Sequence, residues 1–123
     1  MRELYKLVIA DDDDAIVDAL TMVLEDEYQV VVAEETEVLQ TVDAEQPAAV
    51  LLDIWMSGCD GRDVCKALKA QDTTKHIPVI FLSASKEIKQ SAHEAGAATY
   101  IEKPFDITAV LEVVAGVIKE HHG

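Results

Sequence analysis

Cysteine is scarce in this chain: Cys59 and Cys65 are the only two among 123 residues. Their number and spacing suit no zinc site, and reduced thiols serving as packing or loop residues are expected. No apolar run approaches the ~20 residues needed to span a bilayer. Met1-Arg2-Glu3-Leu4 leads into no apolar stretch of signal-peptide length. The expectation is therefore a cytoplasmic protein without membrane insertion. Basic residues are also few, 10 Lys and Arg against 24 Asp and Glu, for a formal charge of −14. That balance argues against direct nucleic-acid contact, which clustered Lys and Arg carry. It favours solubility, cation binding or a basic partner. Repeats, low-complexity segments and linkers are missing too, so one domain over residues 1–123 is expected.

Half the residues are hydrophobic, enough for a real core, and their pattern alternates between two periods. Leu4 to Ala10 reads as a strand and stops at four aspartates, Asp11 to Asp14. Ala15 to Glu25 places Ile16, Val17, Leu20, Val23 and Leu24 at helical spacing, with one of the later aspartates as its cap. Gln29 to Ala33 is a second strand. Glu34 to Ala44 is a helix with Val38, Leu39 and Val42 inward, stopped by Pro47. Ala48 to Leu52 is a third strand leading into Asp53. Ile54 to Cys59 reads as a loop, and Asp60-Gly61 opens a helix with Val64, Cys65 and Leu68 facing in. Pro78 heads a fourth strand, Val79 to Leu82, ended by Ser83. Ser85 to Ala95 is a more polar helix closed by Gly96. Ala98 to Ile101 is the fifth strand. Asp106 to Lys119 is the last helix, striped by Ile107, Val110, Leu111, Val114, Val117 and Ile118. Five alternations with short links imply an α/β fold, a parallel sheet with helices on both faces.

In such a sheet all carboxyl ends lie on one edge, where α/β proteins place their ligands. The residues at those tips are Asp11 and Asp12, then Asp53, Ser83 and Lys103. Caps and turns do not readily account for three carboxylates, a hydroxyl and an ammonium together. Three close carboxylates repel one another, and a hard divalent cation such as Mg²⁺ relieves this. Lysine and hydroxyl can neutralise and hydrogen-bond a phosphoryl group, and an aspartate can be the nucleophile that takes it. Asp13 and Asp14 read as cap and first-turn residues, and His76 and His93 as exposed residues without a role.

Four stretches, in order and spanning nearly the whole chain, resemble the receiver domain of two-component response regulators. They are Val8-Ile9-Ala10-Asp11-Asp12-Asp13, then Val50-Leu51-Leu52-Asp53 with Met56 and Asp60-Gly61, then Phe81-Leu82-Ser83-Ala84, and Tyr100-Ile101-Glu102-Lys103-Pro104-Phe105. The resemblance implies a doubly wound, flavodoxin-like (βα)5 fold with strand order 2-1-3-4-5. It implies phosphorylation of Asp53, with Mg²⁺ (Mn²⁺ possible) held by Asp12 directly, Asp11 largely through water, Asp53, and the backbone carbonyl of Trp55. Ser83 and Lys103 would close on the phosphoryl group, Tyr100 would switch rotamer with Ser83, and Lys103-Pro104 would be cis. Trp55 and Ser85 stand at positions that tune dephosphorylation. The implied partners are a histidine kinase or histidine phosphotransfer protein and a downstream protein or output domain. That partner would read the face made by the fourth helix, fifth strand and fifth helix, in a monomer or a phosphorylation-dependent dimer. Such a chain catalyses its own phosphoryl transfer and slow dephosphorylation, and its role is regulation.

Two features depart from the family pattern. Ser57 stands where proline is usual, which removes a rigid turn, and Trp55 is unusually large. Its indole is expected to shield the acyl phosphate from water. A Mg²⁺-dependent phosphatase using Asp53 needs a further acidic group and a cap over its substrate, for which 123 residues leave no room. A binding-only pseudo-receiver is disfavoured by the intact Asp11, Asp12, Asp53 and Lys103 set. A dinucleotide site is disfavoured because no G-x-G-x-x-G follows the first strand.

Overall fold

The structure, a computed structural model, describes residues 4–56, 58–84 and 88–122, without the side chains of Ile88, Lys89 and Ser91. Among the described residues, seven strands and five helices follow one another. β1 (Lys6–Ala10), α1 (Asp14–Leu24), β2 (Gln29–Val32), α2 (Val38–Glu45) and β3 (Ala49–Asp53) come first. A short hairpin of β4 (Trp55–Met56) and β5 (Cys59–Asp60) precedes α3 (Gly61–Ala70). The chain continues through β6 (Val79–Ser83), α4 (Ile88–Ala95), β7 (Thr99–Glu102) and α5 (Ile107–His122). Five strands form one sheet in the order β2-β1-β3-β6-β7, every neighbouring pair parallel. Counted over these five alone the order is 2-1-3-4-5, as the resemblance implies.

Strand residues alternate between two cores, because successive side chains point to opposite faces. Val8, Ala10, Val50, Leu52, Val79 and Phe81 join Val38, Val42, Cys65, Leu68, Ala92 and Ala95, so α2, α3 and α4 cover that face. Leu7, Ile9, Ala49, Leu51, Ile80 and Leu82 join Val17, Leu20, Leu24, Val110, Val114, Val117 and Ile118, so α1 and α5 cover the other. Burial on both faces is why the strands read as unbroken apolar runs. β3 is the middle strand of the five, and every one of its residues is buried.

The helix ends follow local chemistry. The Asp13 side chain accepts from the N–H groups of Ala15 and Ile16, capping α1. The Asp60 carboxylate accepts from Arg62 N–H, capping α3. Gly96 has φ +86, and the bonds Gly96 N–H to His93 O and Ala97 N–H to Ala92 O close α4 in a left-handed C-terminal turn. Several boundaries differ from expectation. The segment 54–59 is not wholly loop, since Trp55 pairs with Asp60 and Met56 with Cys59 in antiparallel register. α2 begins at Val38 rather than Glu34, because Glu37 N–H bonds the Glu34 carbonyl in a turn first. β1 begins at Lys6, with Leu4 and Tyr5 exposed. The helix expected from Ser85 to Ala95 falls partly outside the described residues. α5 runs to His122 rather than Lys119, where His122 Nε2–H donates to Ala48 O at 2.9 Å. His76 and His93 are exposed, and both cysteines are free thiols. Among the described residues, no helix is long and apolar enough to cross a membrane.

Candidate functional site

Register brings the site together. Ala10 is the partner of Leu52 across β1 and β3, so Asp11 and Asp53, one residue further on, leave the sheet side by side. Ser83 is the partner of Glu102 across β6 and β7, and Lys103 N–H donates to Ser83 O at 2.8 Å, which fixes Lys103 at the same edge. Asp11, Asp53 and Lys103 share the parity of the α1 and α5 face, whereas Ser83 has that of the opposite face.

Lys103 Nζ lies 2.8 Å from Asp11 Oδ2 and 3.6 Å from Asp53 Oδ1. Both carboxylates are buried, Asp11 at 8% and Asp53 at 5% exposure, while Asp12 is exposed. Asp11 Oδ1 accepts from Asp13 N–H at 2.9 Å. Asp53 Oδ1 accepts a longer bond from Trp55 N–H at 3.3 Å. Burial, and then the Asp11 carboxylate, push the Asp53 carboxyl up to about 6, against the downward pull of Lys103 and the Trp55 N–H. One lysine does not fully compensate two buried carboxylates, so the edge retains unrelieved negative charge.

The donor set fits a hard cation. One oxygen from each of Asp11, Asp12 and Asp53 lies within 4.8 Å of the others. Two ligands of a Mg²⁺ ion at ~2.1 Å are at most about 4.2 Å apart, a closure that small side-chain rotations supply. All three donors are carboxylate oxygens, the type Mg²⁺ selects. Asp11, Asp12, Asp53 and Lys103 are thus brought together. Ser83 is 1% exposed at the end of β6. Tyr100 is half-buried on β7, opposite Phe81 and against the same core as that residue. Its diagonal neighbour on that sheet face is Ser83. Trp55 is 58% exposed, and the Lys103-Pro104 bond is cis. Ser57 and Ser85 lie outside the described residues. An apolar-walled hollow of about 340 Å³ flanks Lys103, lined by Ile16, Ala84, Pro104 and Phe105.

Of two further residues at this edge, the sequence placed Gly61 only as a helix opener and motif residue and left Arg62 unremarked. Gly61 opens α3 directly beneath the site, and its N–H donates to Ile54 O at 2.7 Å. A Cβ there would collide with the Asp53 carbonyl oxygen and stand 3.0 Å from Ile54 Cα. The requirement is for space, and a glycine in the first turn of a helix is its sequence signal. Arg62 is the second. Its guanidinium grips the Asp60 carboxylate through two bonds, of 3.0 and 2.8 Å, and lies 4.6 Å above the Trp55 ring. Arg62 accordingly holds the Asp60 carboxyl below its ordinary value. A lone arginine two residues after an aspartate gives no signal of this.

A doubly wound parallel sheet with acidic and basic side chains converging at one strand edge defines the class: an α/β domain whose chemistry sits at the carboxyl ends of its strands. The sequence profile of the response regulator receiver domain matches residues 7–115, and the chain belongs to that family. Among curated relatives, it is 33% identical over 118 residues to the DNA-binding dual master transcriptional regulator RpaA of Synechocystis sp., covering 93% of this chain and 49% of RpaA. It is 38% identical over 122 residues to the transcriptional regulatory protein YxdJ of Bacillus subtilis, covering 96% and 52% respectively. The chain therefore spans about half the length of these relatives. Among solved structures, a response regulator from Chloroflexus aurantiacus superposes with a TM-score of 0.89 at 30% identity, covering 95% of this chain and 99% of that one. The chemotaxis protein CheY4 of Vibrio cholerae gives 0.86 at 26% identity, covering 94% and 99%. The family is a regulatory one rather than one of conventional enzymes.

Proposed function

We propose that this chain is a phosphoacceptor: Asp53 takes a phosphoryl group from the histidine of a histidine kinase or histidine phosphotransfer protein. The observation that carries the reading is the seating of Lys103 between two buried carboxylates, 2.8 Å from Asp11 and 3.6 Å from Asp53. An Asp53 carboxylate oxygen would bond to phosphorus as the phosphorus–nitrogen bond breaks and the imidazole leaves with that electron pair. Asp11, Asp12 and Asp53, with the Trp55 backbone carbonyl, would hold Mg²⁺ or Mn²⁺, which when bound supplies positive charge to the phosphoryl oxygens. Asp11 holds Lys103 at the site until the incoming oxygens compete for the ammonium. Ser83, at the adjoining strand end, would donate its hydroxyl to the same group. Trp55 would shield the acyl phosphate, with Ser85 also tuning its loss.

The output is proposed to be a shift in population of the face formed by α4, β7 and α5. Tyr100 is suited to follow Ser83, since the two lie diagonally on one face of β6 and β7. A downstream protein or output domain would read that face, in a cytoplasmic monomer or phosphorylation-dependent dimer, without direct nucleic-acid contact. Residues 1–123 would act as one receiver unit. The test is incubation with acetyl phosphate and Mg²⁺, read by intact mass. A single phosphoryl adduct on the wild type, absent from Asp53→Asn and from samples in EDTA, is expected. Equal labelling of Asp53→Asn refutes the reading.

A further inference from the structure

The hairpin between β3 and α3 carries one part of the proposed cation site, Trp55, and a side chain outside that site touches both strands of the hairpin. Trp55 donates its N–H to Asp53 and is the residue whose carbonyl would meet the cation. Its antiparallel partner is Asp60. Arg62 touches both members of that pair at once, gripping the Asp60 carboxylate in a two-bond fork with its Cζ over the Trp55 ring, 4.6 Å from the centroid. The grip is partly sheltered, with the Arg62 and Asp60 side chains 33% and 27% exposed. Asp60 is in turn anchored as the cap of α3, accepting from the Arg62 backbone N–H at 2.9 Å. The first turn of α3, the hairpin base and the Trp55 backbone are thereby locked into one unit beside Asp53. The hairpin has only two residues per strand, marginal by itself, so the guanidinium adds to the hold that the Trp55 N–H bond to Asp53 provides.

We propose that Arg62 is a positioning residue that sets how tightly the carboxylate edge holds a divalent cation, by fixing the Trp55 backbone through Asp60 and the indole. The inference rests on the cation-assisted reading of the site given above. Its sign distinguishes it from simple electrostatics. Removing a positive charge near three carboxylates would by itself tighten cation binding, whereas loss of positioning weakens it. Arginine is also not replaceable by lysine here, because an ammonium lacks the planar fork and the stacking face.

The test is titration of the full chain with Mn²⁺, following free metal by electron paramagnetic resonance, for wild type, Arg62→Ala, Arg62→Lys and Asp53→Ala. Urea melts establish folding, and Trp55 emission reports the indole's environment independently. Arg62→Ala is expected to weaken Mn²⁺ binding about three- to tenfold, less than the loss from removing a group that touches a metal ligand directly. Arg62→Lys should recover little of that, and both should alter Trp55 emission before metal is added. Binding unchanged or tighter in Arg62→Ala overturns the proposal, as does full recovery in Arg62→Lys, since charge alone would then suffice. If Arg62→Ala does not fold, Arg62→Lys decides by the same criterion. No Mn²⁺ binding by the wild type overturns the cation reading and this inference with it. Wild-type binding abolished by Asp53→Ala but insensitive to Arg62 removes Arg62 alone.

Discussion

Lys103 sits nearer to Asp11 than to Asp53, 2.8 Å against 3.6 Å, although Asp53 is the carboxyl group left at about 6. Lysine and cation compete for the same negative charge, and the competition has a measurable sign. Replacing Lys103 with Ala should raise Mg²⁺ affinity by about tenfold through lost repulsion. In EDTA the same variant should be destabilised by about 2–4 kcal/mol, because a buried carboxylate loses its partner. Calorimetric titration and urea unfolding with and without metal check both halves.

Asp53 stores instability at neutral pH. Its folded value, about 6, lies above the ~3.9 of an unfolded chain. The stability it contributes is therefore full below about pH 4 and is lost as pH rises through about 6. In EDTA at pH 7, Asp53→Asn should be more stable than wild type by about 1–3 kcal/mol, a rise in Tm of about 3–10 °C. The difference should shrink toward zero near pH 4. Thermal unfolding of both proteins across that range is the check, and a constant difference would contradict the account.

Gly61→Ala should be costly for its size. The new Cβ meets the Asp53 carbonyl, and backbone yields less readily than a side-chain tip, so about 1–3 kcal/mol of stability should go. Mg²⁺ affinity should fall as well, since any relief displaces Asp53. A variant that unfolds and binds Mg²⁺ like wild type would show that the contact relaxes elsewhere.

Trp55→Ala should shorten the lifetime of the phosphorylated state by about three- to tenfold if the indole limits water at the acyl phosphate. The chemistry concerned is attack of water oxygen on phosphorus with cleavage of the acyl oxygen–phosphorus bond. Following decay of the intact-mass adduct after removal of donor gives the rate, and an unchanged half-life removes the shielding role.

The large features of this molecule were legible because they rest on periodicity. Strands such as Val50-Leu51-Leu52, buried on both faces, must be apolar throughout, and α5 must carry its stripe. Asp11, Asp53 and Lys103 were legible because a parallel sheet places every strand tip on one edge. The β4–β5 hairpin was not, since two-residue strands have no period to detect. The start of α2 was misjudged because Glu34 to Glu37 has helical composition, while the chain first makes a turn there. The packing role of Gly61, named only as a helix start, and Arg62 altogether were missed for a different reason. Their roles depend on what folds against them, a carbonyl in one case and an indole in the other, and neither partner is implied by sequence neighbours.

The final helix has a consequence for how a signal leaves the domain. α5 follows the loop bearing Lys103 and ends with His122 bonded to Ala48, at the start of β3, so it runs the full height of the sheet, about 24 Å for its 16 residues. A label or polypeptide joined beyond His122 would emerge at the rim opposite the carboxylates. The attachment point itself would lie a full helix length from the phosphoryl group. A dye attached there should thus leave the chemistry undisturbed and still respond to any displacement of α5.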